Sequence, residues 1–484
     1  MDTFARDRLP PREQWPDLLL LDYPERLNAA EELLKHEGTA IAGGWSYAEL
    51  AERADAVAGA LNIEPGERVL LHTPNTPEAV ACWLGILLAG GIVVATMPLL
   101  RRREIDKVVA RANVTKALVA RDLVGEVDVL DVRVIEELPT RGWFDACDTA
   151  ADDVAIIAFT SGTTGEPKGC VHFHRDLLAC CDTFAKHVLD PQPTDVFSGS
   201  PPIAFTFGLG ASLLFPLRFG AATAPTTPPQ LLATLHERRV TTLFTAPTAY
   251  RALLREALPD SLHTCVSAGE PLPATVSDAW YEKTGIRIVD GIGSTEMLHI
   301  FIGSPASEAR AGSCGRPVPG YEARIVDDAL RTLGPGEVGR LAVRGPTGCR
   351  YLDDPRQTSY VRDGWNLTGD AFSMDADGFF WFQARTDDMI ISAGYNISGF
   401  EVETALLEHP AVKECAVVGV PDPERGHVVK AYVVAAEPVE ARALQDFVKA
   451  RIAPYKYPRR VEFLEALPRT PTGKVQRNVL RDRG

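Results

Sequence analysis

The sequence predicts an α/β protein. It has a large N-terminal body of helix-covered, mostly parallel sheets plus a strand-rich subdomain, and then a small mobile C-terminal α/β cap. Three observations carry this. Helical patterns alternate with short apolar strands through the first part of the chain, as in parallel sheets covered on both faces. Beyond Tyr321 the strands become closely spaced. Past the charged stretch Arg385-Thr-Asp-Asp388 lies a unit of about 100 residues, enough for a core of its own. The expected division is 1–384 as body, 385–388 as hinge and 389–484 as cap.

In chain order, the apolar periodicity gives a helix over 47–61, a strand over 69–72, a helix over 104–111, and strands over 117–120, 154–159 and 242–245. Residues 79–97 contain no charged residue and approach the length of a bilayer span. Gly90-Gly91 divides them, however. Residues 76–89 read as a buried helix with Pro77 near its start, and 92–95 as a short β-branched strand. Strands follow over 323–326, 339–344 and 378–383, the first two joined by a turn at Gly334-Pro-Gly336. In the cap, strands over 412–420 and 427–435 precede a helix over 439–452, which puts Leu444, Phe447, Val448 and Ile452 on one face.

The bulk numbers exclude several classes. Fifty Lys and Arg against 65 Asp and Glu give a net charge of −15, which argues against nucleic acid as a partner. Nine cysteines without a Cys-x-x-Cys pair make neither a disulfide framework nor a zinc site and suit a reducing compartment. The charged start, Met1-Asp-Thr-Phe-Ala-Arg, has no apolar core and is not a signal peptide. A cytoplasmic protein with no membrane partner is expected.

The most informative segment follows the strand over 154–159: Thr160, Ser161, Gly162, Thr163, Thr164, Gly165, Glu166, Pro167, Lys168, Gly169. Glycines let backbone N–H groups approach a polyanion, hydroxyls add donors, and Lys168 supplies a mobile point charge. Pro167 stands where a Walker A loop needs its second glycine, so the loop is of another kind. It predicts a nucleoside triphosphate.

This segment resembles the phosphate-binding signature of the acyl-adenylate-forming superfamily, which holds acyl-CoA synthetases, peptide-synthetase adenylation domains and luciferases. Further motifs resemble that superfamily in its own order. They are Ala268-Gly269-Glu270-Pro271 beside adenine, Gly291-Ile-Gly-Ser-Thr-Glu296 on the adenine and magnesium side, Leu367-Thr-Gly-Asp370 at ribose, the hinge Ala384–Asp388, and Pro471-Thr-Gly-Lys474. The resemblance implies ATP, Mg2+ and CoA, or the phosphopantetheine arm of a carrier protein in a biosynthetic pathway. It implies Lys474, Thr295 and Glu296 as catalytic, and Glu296 as the magnesium ligand. Nucleotide contacts would come from residues 160–165, Lys168, Ala268–Pro271, Asp290, Gly291, Gly293, Asp370 and Arg385. Asp387 would be the hinge residue, and Gly394 with Tyr395 would line the thiol channel. Ala384 replaces a usual glycine and Ile391 a frequent lysine.

The acid pocket is expected to suit an aromatic ring. Ala204, Phe205, Thr206, Phe207 and Gly208 offer flat apolar walls, Ile292 and Ile300 flank them, and His299 could meet a ring substituent. Residues 291–301 and 387–397 most resemble benzoate–CoA and 2-aminobenzoate–CoA ligases, the latter more closely. The expected reaction activates an aryl acid to an adenylate and then transfers it to the thiol. His172 and His174 alternate as on a strand and are expected to be structural. The basic stretch Lys449, Arg451, Lys456, Arg459 and Arg460 is open to a phosphate-binding role or to a solvated face.

Overall fold

Ser46 opens the helix Tyr47–Leu61: its hydroxyl accepts from Glu49 N and the Glu49 carboxylate accepts from Ser46 N, while Asn62 ends the helix in the left-handed region. The helix Pro77–Leu88 begins the same way, with Thr76 capping Ala79 N and proline at the first position. Nearly every residue of that helix is buried, because it packs between sheet and helices, and the chain then returns as the strand Ile92–Thr96. The computed structural model describes residues 1–161, 166–385, 388–392, 395–422, 425–470 and 475–483. Among the described residues, no helix is long and apolar enough to cross a membrane.

Two sheets form the body. One has six strands in the order Asp131–Val134, Lys116–Val119, Arg68–His72, Ile92–Thr96, Val154–Ser161 and Pro167–Phe173, parallel except for the last pair. The other has seven. Its parallel part, Ala222–Thr223, Val196–Gly199, Thr242–Thr245, Thr264–Ser267 and Ile288–Gly293, is extended by the antiparallel strands Ile300–Gly303 and Arg316–Pro317. A continuous apolar core joins the two sheets through Trp83, Phe184, Phe197, Phe215 and Phe244.

The strand-rich subdomain is an antiparallel sheet of Glu322–Val326, Val338–Arg344, Trp365–Met374, Val361–Arg362 and Phe380–Arg385. Sequence reading overlooks Trp365–Met374, because Thr368-Gly369-Asp370 interrupts its apolar alternation. Gly369 takes a φ of 78°, and the facing strand shifts register between Arg340 and Ala342. The strand expected over 378–383 begins two residues later. The C-terminal α/β unit builds its sheet on the hairpin Val412–Asp422 and Gly426–Ala435, covered by Gly399–Leu407 and Ala441–Arg451. Leu444 and Val448 of the latter helix are buried against it.

His172 and His174 are both wholly buried. His172 lies on the strand Pro167–Phe173, but His174 starts the helix His174–Cys180, because Asp176 accepts from Phe173 N and begins a helical turn there. Burial pushes both imidazoles down to about 4. A histidine held neutral in the folded chain charges more readily when unfolded, so stability is present above pH 6.5 and falls as the pH drops towards 4. Each should cost about 2 kcal/mol between pH 7 and pH 5. Urea titrations at the two pH values check this, and His174→Gln should flatten the difference; an unchanged pH dependence would show that His174 does not contribute.

Candidate active site

The strands Val154–Ser161 and Pro167–Phe173 pair antiparallel up to Thr160↔Lys168 and Ser161↔Pro167, at the edge of the six-stranded sheet. Gly162–Gly165 and the Ser161 side chain lie outside the described residues. Lys168 projects back over the body. Its Nζ donates to the Tyr351 hydroxyl (3.2 Å), which donates to Glu296 Oε1 (2.6 Å), and Lys168 Nζ stands 3.9 Å from that same carboxylate oxygen. Burial, reinforced by the adjacent Glu296 charge, pushes the Tyr351 phenol far up, so it stays a donor.

Glu296 is buried on the turn between Ile288–Gly293 and Ile300–Gly303. This turn does not begin a helix. Ser294 accepts from Met297 N, Leu298 takes a φ of 70°, and the chain reverses into an antiparallel strand. Three neighbours hold successive residues of this turn. His172 Nε2 is 2.7 Å from the Thr295 carbonyl, Tyr351 bonds the Glu296 carboxylate, and the Thr347 hydroxyl donates to the Met297 carbonyl (2.7 Å). Gly293 is required by the reversal, since a methyl group there would lie 2.5 Å from the His299 carbonyl oxygen. With Oε1 bonded to Tyr351, Glu296 Oε2 is the oxygen left for a cation. One carboxylate is what magnesium commonly takes from protein when phosphates and water complete its shell.

Asp290 pairs with Ser267, the last residue of its strand, in the last parallel pair of the two strands, near the position where open α/β sheets bind ligands. Ala268, Gly269, Glu270 and Pro271 follow directly, with Gly269 exposed at a φ of 86°. Burial pushes the Asp290 carboxyl well up, and its Oδ1 has no hydrogen-bond partner among the described residues. Asp370 and Arg385 are register partners across two antiparallel strands; the Arg385 side chain lies outside the described residues.

The stretch from Ala204 meets His299. Phe205 precedes the short helix Thr206–Leu209, which continues as the π-wound Gly210–Leu214. His299 is 2% exposed, with the ring of Phe215 at 4.5 Å, Phe184 at 5.5 Å and Phe207 at 5.9 Å. Phe184 also belongs to a π-wound segment, Cys181–Leu189. Burial pushes the His299 imidazole down to about 3, and neither nitrogen has a well-formed hydrogen bond among the described residues. Gly210 makes room for the ring: a methyl group there would lie 2.4 Å from His299 Nε2. Gly208 packs against the Pro202 carbonyl in the same way (2.1 Å). Ala204 and Thr206 face a small apolar cavity with Trp83, Ile157 and Ile203. Ile292 and Ile300 stand on the two strands that lead into and out of the Glu296 turn.

Lys474, Asp387 and Gly394 lie outside the described residues, as does the Tyr395 side chain. The flanks of the Lys474 loop are tied down: Arg469 pairs with Glu414 (2.8 Å), Arg469 bridges Val475, Arg477 pairs with Glu403 (2.8 Å), and Arg481 pairs with Asp388 (3.1 Å). In the basic stretch, Lys449, Arg451 and Lys456 pair with Asp446, Glu408 and Glu401 at 2.9, 2.8 and 2.6 Å, and Arg459 stacks on Tyr457. Sequence reading missed Tyr351, Thr347 and Arg350; their one trace is a run of polar and aromatic residues between two glycines and Asp353-Asp354-Pro355.

A hydroxyl- and glycine-rich sequence between two hairpin strands, a buried carboxylate on a turn beside Lys168 and a separate C-terminal α/β unit suit an adenylate-forming enzyme. The chain belongs to the AMP-binding enzyme family, whose model matches residues 34–350, with the AMP-binding enzyme C-terminal domain matching 401–474. It is an ATP-dependent, AMP-forming acid–CoA ligase, joining a carboxylic acid to CoA. It is 35% identical to an uncharacterized acyl–CoA ligase, YtcI, of Bacillus subtilis over 96% of both chains. It is 34% identical to the benzoate–CoA ligase of Thauera aromatica over 95% of this chain and 96% of the other. The crystal structure of the anthranilate CoA ligase AuaEII in complex with anthranoyl-AMP superposes with a TM-score of 0.88 at 32% identity, covering 96% of this chain and 98% of that one.

Tyr351→Phe removes the hydrogen bond that fixes Glu296. A bond to a charged acceptor is worth about 1.5–3 kcal/mol, so pyrophosphate release at saturating acid should fall by about tenfold or more. Wild-type rates in the variant would show that the phenol does not support the carboxylate.

Proposed function

We propose that the acid is aromatic, of the benzoate or 2-aminobenzoate type. The observation that carries this reading is the convergence of Phe207, Phe215, Phe184 and a neutral, buried His299 beside the Ala204–Gly208 wall. Flat rings and glycines favour a planar substrate, and a neutral imidazole can donate or accept at a ring substituent. The likeness to a benzoate–CoA ligase and to an anthranilate CoA ligase supports the same substrate class.

In the first half-reaction the carboxylate oxygen attacks the α-phosphorus of ATP, and the bond to the β-phosphate breaks, releasing pyrophosphate. Both reactants are anions, so catalysis rests on positioning and charge. The Thr160–Gly165 loop and Lys168 hold the β- and γ-phosphates. Asp370 and Arg385 hold the ribose, and Ala268–Pro271, Asp290, Gly291 and Gly293 flank the adenine. Thr295 and Glu296 face the phosphates, and Glu296 would hold a magnesium ion that offsets their charge. Lys474 bridges the carboxylate and the α-phosphate. Rotation at Asp387 then withdraws Lys474 and opens the path past Gly394 and Tyr395. The CoA sulfur attacks the acyl carbon there, and AMP leaves.

Lys474→Ala should lower adenylation by about 10²–10³-fold or more while sparing thioester formation from preformed acyl adenylate. Single-turnover assays of each half-reaction separate the two, and equal losses would contradict the division of labour. For the acid, pyrophosphate release is compared across benzoate, 2-aminobenzoate and 2-hydroxybenzoate. His299→Ala should depress kcat/KM for the two substituted acids more than for benzoate, by about 1–3 kcal/mol, whereas Phe207→Ala should weaken all three alike. If short fatty acids outperform every benzoate, the aryl reading fails.

A further inference from the structure

Arg350 and Asp176 are both wholly buried, and Arg350 Nη1 donates to Asp176 Oδ2 at 2.7 Å. The guanidinium is sandwiched by the rings of Phe173 (4.2 Å) and Trp15 (4.9 Å). Oδ2 also accepts from Phe173 N and stands 3.8 Å from His172 Nδ1. The other end of that imidazole, Nε2, meets the Thr295 carbonyl at 2.7 Å. A carbonyl only accepts, so Nε2 carries the hydrogen. A buried ion pair with Arg350 Nε, Arg350 Nη2 and Asp176 Oδ1 unbonded among the described residues is poorly explained by stability, since an apolar replacement would commonly serve as well. The pair packs against His172 Nδ1, which also has no hydrogen bond there, and the far side of that ring reaches the residue before Glu296.

We infer that His172, packed beside the Asp176–Arg350 ion pair with no hydrogen bond to it, is a positioning residue for adenylation through its bond to the Thr295 carbonyl. It fixes the Thr295 carbonyl, and so the direction in which Glu296 leaves its turn. Tyr351 acts on the same carboxylate from the neighbouring position of the chain: Arg350 and Tyr351 point to opposite sides of one extended segment, which is pinned to the strand Pro167–Phe173 by Val171 N to Arg350 O and Leu352 N to Gly169 O, each 2.8 Å. The inference rests on the reading of Glu296 as an adenylation-side group.

The test uses the full-length protein and His172→Leu, His172→Gln and Arg350→Lys, with Glu296→Gln as a control. Displacing a positioned group by an ångström or so costs on the order of 100-fold, so His172→Leu should lower kcat for pyrophosphate release by about that factor. KM for the acid should stay near the wild-type value, as should thioester formation from preformed acyl adenylate. Affinity for a non-hydrolysable ATP analogue with Mg2+, read by equilibrium dialysis, should weaken in step. His172→Gln, which keeps a donor, should recover most of the loss. Arg350→Lys keeps the charge but not the fork, and should show a smaller loss with the same split between half-reactions; it also serves if His172→Leu does not fold. Equal losses in both half-reactions, or a glutamine variant no better than leucine, would overturn the inference. So would a lowered Tm with normal kcat per folded molecule. Glu296→Gln with intact adenylation would instead overturn the reading of Glu296 and leave the bracing without an object.

Discussion

The turn carrying Glu296 makes few hydrogen bonds of its own, and one of its residues, Leu298, sits in left-handed backbone that a branched apolar side chain seldom adopts. It is held because its successive residues are gripped by groups from elsewhere: an imidazole from the hairpin, and a phenol and a threonine hydroxyl from the stretch between two strands of the antiparallel subdomain. Those supports come from the six-stranded sheet and the subdomain, while the turn itself belongs to the seven-stranded sheet. The site is therefore a consequence of how these layers dock, and a carboxylate placed this way cannot shift without disturbing a buried contact.

The electrostatics follow from the same docking. Lys168, Tyr351 and Glu296 form a cation–phenol–carboxylate chain beside the hairpin of Val154–Ser161 and Pro167–Phe173, mostly out of water. Charge effects there are larger than at a surface. The cap shows the opposite arrangement. Lys449, Arg451 and Lys456 are paired with carboxylates of the same unit, while Arg481 to Asp388 ties its last helix to the start of that unit.

Much of the architecture was legible because local signals agreed with burial. The helix Tyr47–Leu61 has its capping box written in Ser46 and Glu49, and the parallel strands read as apolar runs because both faces are covered. Glycine-rich motifs in a fixed order pointed to the family, and Asp370 fell opposite Arg385 although the strand bearing it was overlooked. What escaped was long-range. Tyr351 reaches Glu296 across 55 residues, and Arg350 reaches Asp176 across 174, with no periodicity to announce either. His174 looked like a strand residue because alternation extends one step too far; the Asp176 side chain decides where the helix starts.

Both helices that wall His299 are π-wound where they approach it, at Cys181–Leu189 and Gly210–Leu214. A π-turn accommodates a residue that the α-helical ladder would have no place for. The wall around His299 is thereby tied to chain length as well as to side-chain identity. Loss of a single residue within 210–214 would let the helix rewind as α, turning Phe215 away from the imidazole while Phe205 keeps its place. Families built on this scaffold thus have a route to new acids through insertion and deletion, beside the slower exchange of one wall residue for another.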